Sequence, residues 1–120
     1  MPKKKILIIE DEQTLCHALE ELLSPDYEVD IAIDGEAGLE KLKSFKPDLV
    51  LLDLILPKMD GFSVMHKMKQ EQATKNIPTL VLSNLSDVTD KIKQLGGEEC
   101  MVKSDYSMED IKNKIKQHLA

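Results

Sequence analysis

Residues 49–61 read LVLLDLILPKMDG, and the rest of the chain is best read outward from them. The first four residues are all Leu or Val, the density of a strand covered on both faces. Asp53 comes next. A buried, unpaired carboxylate would cost on the order of several kcal/mol, so the strand is expected to stop here with the acid at its rim. Pro57 and the pair Asp60-Gly61 then punctuate the chain before the next periodic segment.

Five short apolar runs of this kind recur: KILIIE (5–10), YEVDIAI (27–33), DLVLL (48–52), PTLVLS (78–83) and ECMVK (99–103). The second alternates most, as an edge strand with one wetter side does. Between and after them lie stripes at three- and four-residue steps, the period of a helix face. They are Leu15, Ala18, Leu19 and Leu22; then Leu39, Leu42 and Phe45; then Phe62, Met65 and Met68. Val88, Ile92 and Leu95 form the fourth, and Ile111, Ile115 and Leu119 the last. The methionines read as gap-fillers of a core. Pro25, Pro47, Pro57 and Pro78 fall outside these helices, Asp34-Gly35 and Asp60-Gly61 precede two of them, and Gly96-Gly97 closes the fourth. Strict alternation of strand and helix predicts an α/β fold with right-handed crossovers. The expected architecture is a five-stranded parallel sheet of order 2-1-3-4-5, flavodoxin-like (βα)5 with helices on both faces.

Composition narrows the function. At 120 residues the chain is about one domain long, and 42% hydrophobic with 32% charged residues suits a globular protein. A formal net charge of -6 argues against a nucleic-acid backbone as partner, and 3% aromatics with no Trp offers no platform for stacking bases. The apolar run in MPKKKILIIEDE is too short for a signal peptide, and no segment reaches transmembrane length, so no membrane contact is expected. Cys16 and Cys100 are isolated, without zinc or redox spacing, and read as reduced thiols of a cytoplasmic protein. His17, His66 and His118 sit singly on separate helical segments, a surface pattern rather than a ligating one.

Ligands of such sheets bind outside the carboxyl ends of the strands, at the switch between the first and third. Strand one ends in Glu10-Asp11, strand three in Asp53, strand four in Ser83 and strand five in Lys103, while strand two delivers only Asp34 at a helix cap. Glu10, Asp11 and Asp53 should then lie within roughly 5 Å of one another, where two like charges repel by about 3 kcal/mol at an effective dielectric near 20. One lysine does not balance three carboxylates, so a proton or a cation must. Hard oxygen donors without His or Cys favour Mg²⁺, with Mn²⁺ possible, over zinc or copper. A carboxylate beside such an ion, facing a lysine and a hydroxyl, is arranged for phosphoryl transfer, with Asp53 as nucleophile.

These residues resemble the receiver domains of two-component response regulators, of the single-domain, chemotaxis-receiver-like kind, over essentially the whole chain. The resemblance rests on Glu10-Asp11, on DLILPKMDG (53–61), on Ser83 and on VK (102–103). It implies that Asp53 accepts a phosphoryl group from the phosphohistidine of a sensor histidine kinase or histidine phosphotransfer domain. It further implies that Asp11, Asp53 and the backbone carbonyl of Ile55 hold Mg²⁺ directly, with Glu10 acting through water. Ser83 and Lys103 are implied to meet the phosphoryl oxygens, so that the domain catalyses its own phosphorylation and dephosphorylation without being a conventional enzyme. Three positions depart from the pattern. Cys100 stands where many members carry Tyr or Phe, Ser104 where Pro commonly follows the lysine, and Asn84 where a small residue is common.

No output segment follows the last helical pattern, so a single receiver domain over 1–120 is expected, signalling to an unknown downstream protein. The expected output face combines the fourth helical pattern (86–95), the fifth strand and the last helix (107–119). Branched, apolar Ile55 is expected to hinder water and prolong the phosphoform. The alternative reading is a phosphorylation-independent pseudo-receiver, an interaction module alone. A haloacid-dehalogenase-type phosphatase would carry DxDx after the first strand, which IIEDEQ (8–13) lacks, and neither GxGxxG nor a Walker loop follows that strand.

Overall fold

The apolar density of LVLL follows from its place. β3 (Leu49–Leu52) lies in the middle of a parallel sheet, paired on one side with β1 (Lys5–Ile9) and on the other with β4 (Thr79–Ser83). β2 (Glu28–Ala32) adds to the far side of β1, and β5 (Glu99–Val102) to the far side of β4. The resulting five-stranded order, β2-β1-β3-β4-β5, is the one the alternating pattern predicts. A computed structural model describes residues 3–83, 99–102 and 106–119. Within them four helices connect or follow the strands: α1 (Gln13–Leu23), α2 (Gly35–Ser44), α3 (Gly61–Gln70) and α4 (Met108–Leu119). The predicted fourth helical pattern at Val88, Ile92 and Leu95, the Gly96-Gly97 pair, Asn84, Lys103 and Ser104 lie outside the described residues.

Alternate residues of each strand point to opposite faces, which divides the core in two. Ile6 and Ile8 of β1 pack with Leu49 and Leu51 of β3 beneath α1 and α4, through Leu19, Leu23, Ile111 and Ile115. Leu7 and Ile9 pack with Val50 and Leu52 beneath α2 and α3, through Leu42, Val64, Met65 and Met68. Helices therefore cover both faces. All four residues of β3 are buried, and each such aliphatic side chain stabilises the fold by about 1.5–3 kcal/mol. β2, paired on one side only, is exposed at Glu28 and only partly buried through Ile31, as the edge pattern predicts.

Two details of the expected core change. On α1 the inward residues are Cys16, Leu19 and Leu23, while Ala18 faces solvent and Leu15 and Leu22 flank the stripe. Cys16 takes an inward position because a thiol packs as a small hydrophobe. Tyr106, beyond the fifth strand, is partly buried against the first of the two core clusters. Among the described residues no helix is long and apolar enough to cross a membrane.

Candidate functional site

The parallel register of β1 and β3 brings the acids together. Ile9 pairs with Leu52, so the next residues on each strand, Glu10 and Asp53, leave the sheet side by side. Two backbone bonds hold them there: Asp53 N–H donates to the Ile9 carbonyl at 3.0 Å, and Glu10 N–H to the Ala32 carbonyl of β2 at 3.0 Å. One oxygen from each of Glu10, Asp11 and Asp53 lies within 4.8 Å of the others. Asp11 is exposed, but Glu10 and Asp53 retain only 3% and 7% of their surface. Asp53 is thus at the rim in topology yet buried in fact.

That loop is tied down at its far end by α3. Gly61 N–H donates to the Leu54 carbonyl at 2.8 Å. A Cβ at Gly61 would stand 2.6 Å from Leu54 Cα and overlap the Asp53 carbonyl oxygen, so only glycine permits this approach. The Asp60 carboxylate caps α3 by accepting from Ser63 N–H at 3.0 Å. Ile55 N–H reaches Asp53 Oδ1 at 3.4 Å, a long contact, and the Ile55 side chain is 59% exposed. On the opposite strand end, Glu10 Oε2 accepts from Glu12 N–H at 3.1 Å, and the Glu10 carbonyl accepts from the Cys16 thiol at 3.3 Å.

Ser83 ends β4 and is completely buried. It pairs with Val102, the last residue of β5; Lys103 follows Val102 but is among the residues not described. The described part of the site thus brings together Glu10, Asp11 and Asp53, sets Ile55 on the adjoining loop, and carries Ser83 on the strand next to Asp53's own. Sequence reasoning missed the Cys16 thiol, whose spacing of six from Glu10 signals one turn of helix folding back on the strand end.

The donor chemistry suits a small hard cation. Three carboxylates supply oxygen alone, no His or Cys joins the cluster among the described residues, and two of the three have little water to screen them. Two ionised carboxylates at this spacing would repel by about 3 kcal/mol at an effective dielectric near 20, which a divalent ion between them would offset.

The response regulator receiver domain family matches residues 6–116. The response regulator ArlR of Staphylococcus haemolyticus is 40% identical over 114 residues, covering 92% of this chain and 50% of that protein. The chain therefore spans about half the length of the curated relatives it matches. Among solved structures, the signal receiver domain of a DNA-binding response regulator from Colwellia psychrerythraea 34H superposes with a TM-score of 0.88 at 34% identity, covering 98% of both chains. The Mn(2+)-bound form of response regulator Rcp1 superposes with a TM-score of 0.77 at 31% identity, covering 96% of this chain and 88% of that one. A sheet whose first and third strands carry acids to one rim, matched by this family over residues 6–116, makes the chain a member of the response regulator receiver domains of two-component systems.

Proposed function

We propose that Asp53 is the phosphoacceptor, charged by the phosphohistidine of a sensor histidine kinase or histidine phosphotransfer domain. The observation that carries this reading is the crowding of Glu10, Asp11 and Asp53 within 4.8 Å, two of them buried. Asp11, Asp53 and the Ile55 carbonyl would hold Mg²⁺, with Glu10 behind them through water; the manganese of the Rcp1 neighbour makes Mn²⁺ a chemically reasonable substitute. Bound there, the ion would neutralise the carboxylates and the charge that develops on the phosphoryl oxygens.

In the transfer an Asp53 carboxylate oxygen bonds to phosphorus as the phosphorus–nitrogen bond to the donor imidazole breaks, its electron pair leaving on that nitrogen. The Ser83 hydroxyl and the Lys103 ammonium are assigned to the phosphoryl oxygens, Ser83 from the end of β4 and Lys103 from just beyond its β5 partner Val102. Exposed, apolar Ile55 hinders an attacking water, so Ile55→Asn should shorten the phosphoform's lifetime. The added charge, roughly 1.5 to 2 units, is read out through protein contacts on a face that includes β5 and α4. On this reading residues 1–120 act as one cytoplasmic receiver unit, with no nucleic acid or membrane contact of its own.

Incubation with acetyl phosphate and Mg²⁺, followed by intact mass measurement, tests the assignment. The wild-type chain should gain one phosphoryl group and Asp53→Asn none. Labelling that survives Asp53→Asn would refute the assignment, and a wild-type chain that stays unlabelled would favour a phosphorylation-independent interaction module.

A further inference from the structure

β2 sends no carboxylate into the acidic cluster among the described residues, yet the corner where it gives way to α2 touches the loop that follows Asp53 at two points. At Gly35 there is no room for a side chain: a Cβ would overlap the Met59 carbonyl oxygen and lie 2.8 Å from the Met59 Cβ. Because the obstacle is mostly backbone, no rotamer change at Met59 could relieve it. At Asp34 one carboxylate oxygen caps α2, accepting from Ala37 N–H at 2.8 Å, and the other faces Lys58 Nζ at 3.7 Å. Lys58 has a φ of 66°, a left-handed backbone that L residues adopt at a cost. The loop is therefore gripped at Lys58 and Met59 by the β2–α2 corner and at Leu54 by Gly61. Between the two grips lies Ile55, whose backbone carbonyl is the cation ligand proposed above.

We infer that Asp34 and Gly35 are positioning residues, setting the path of residues 55–59 and through it the cation affinity of the Asp53 site. This rests on the phosphoacceptor reading above. The two contacts differ in weight. The Lys58 side chain is 62% exposed, so its attraction to Asp34 is screened and weak. The Gly35–Met59 packing has no such slack and carries most of the effect.

The test compares the 120-residue wild type, Gly35→Ala, Asp34→Asn and Lys58→Ala, reading the Mg²⁺ midpoint and the maximal rate of labelling by acetyl phosphate, with thermal unfolding alongside. Asp34→Asn keeps an oxygen for the Ala37 cap while removing the charge that faces Lys58. Gly35→Ala should raise the Mg²⁺ midpoint about tenfold, the scale of a small displacement at a reacting group, with a smaller change in maximal rate. Asp34→Asn and Lys58→Ala should each raise it about twofold, and their combination no further. A Gly35→Ala chain that melts earlier but keeps the wild-type midpoint would show a purely structural glycine and overturn the inference. Should Gly35→Ala not fold, the other pair decides: a shared, non-additive shift supports the inference and an unchanged midpoint overturns it. A wild-type chain that takes no phosphoryl group removes the phosphoacceptor reading and this inference together, whereas a labelled wild type with an unmoved Gly35→Ala midpoint removes this inference alone.

Discussion

The helix starts of this domain are of two kinds. α2 and α3 open on aspartates whose carboxylates accept from the third residue on, Asp34 from Ala37 N–H and Asp60 from Ser63 N–H. α4 opens on a reciprocal pair, Asp110 N–H donating to Ser107 Oγ and Ser107 N–H to the Asp110 carboxylate. α1 does otherwise: Glu12 stands at its N-cap and makes no side-chain cap bond. The carboxylate that does reach this turn is Glu10's, which accepts from Glu12 N–H while belonging to the acidic cluster. At α2, α3 and α4 the local capping rules are kept. Where the cluster sits they are broken, as expected of a functional site.

The comparison would break most severely at Gly61, which serves both ends, as first residue of α3 and as the wall beneath Asp53. Gly61→Ala should destabilise the fold by about 2–3 kcal/mol, measured by urea unfolding, because the added methyl meets backbone atoms of Asp53 and Leu54. Stability near wild type would mean that the loop can yield. Glu10→Gln acts in the opposite direction. It keeps an oxygen for Glu12 N–H and relieves the repulsion with Asp53, so in metal-free buffer stability should rise by about 1–2 kcal/mol. A loss there would show that the cluster is not strained.

The caps themselves give smaller effects. Asp60→Ala and Ser107→Ala should each cost about 1 kcal/mol, whereas Glu12→Ala should change stability by less than about 0.5 kcal/mol. Equal losses at all three positions would erase the distinction. The smallest effect lies far from the rim, at Tyr27. Burial, with Asp26 adding to it and Lys112 opposing, raises its phenol above the ordinary value of 10.0. The folded chain then holds that proton more tightly than the unfolded one. The resulting stability is fully present below pH 10.0 and is lost as pH rises through the raised value. Tyr27→Phe should flatten the alkaline limb of a stability–pH profile and leave the neutral range unaltered in slope.

How much of this could be read from the chain depends on how local each cause is. The strands were legible because apolar density and alternation are properties of neighbouring residues, and the paired acids because strand ends in a parallel sheet fall on one rim. Asp34 and Asp60 announced two helix starts through the glycines after them, and the Ser107–Asp110 spacing carried a signal for a third that went unused. The burial of Glu10 and Asp53 was not legible. It depends on how closely the tertiary fold packs around the strand ends, which strand periodicity does not encode. The same holds for the approach of Met59 to Gly35 and for the inward turn of Cys16, which displaced Ala18 from the expected stripe.

The central claim is that the Glu10, Asp11 and Asp53 carboxylates form a divalent-cation site. Titrating the ¹⁵N-labelled chain with Mg²⁺ tests it most directly, following the backbone amides of Glu10, Asp11, Asp53 and Ile55. Saturable shifts centred on those residues and abolished by Asp11→Asn are predicted. Shifts that grow linearly without saturating, or that persist unchanged in Asp11→Asn, would contradict it.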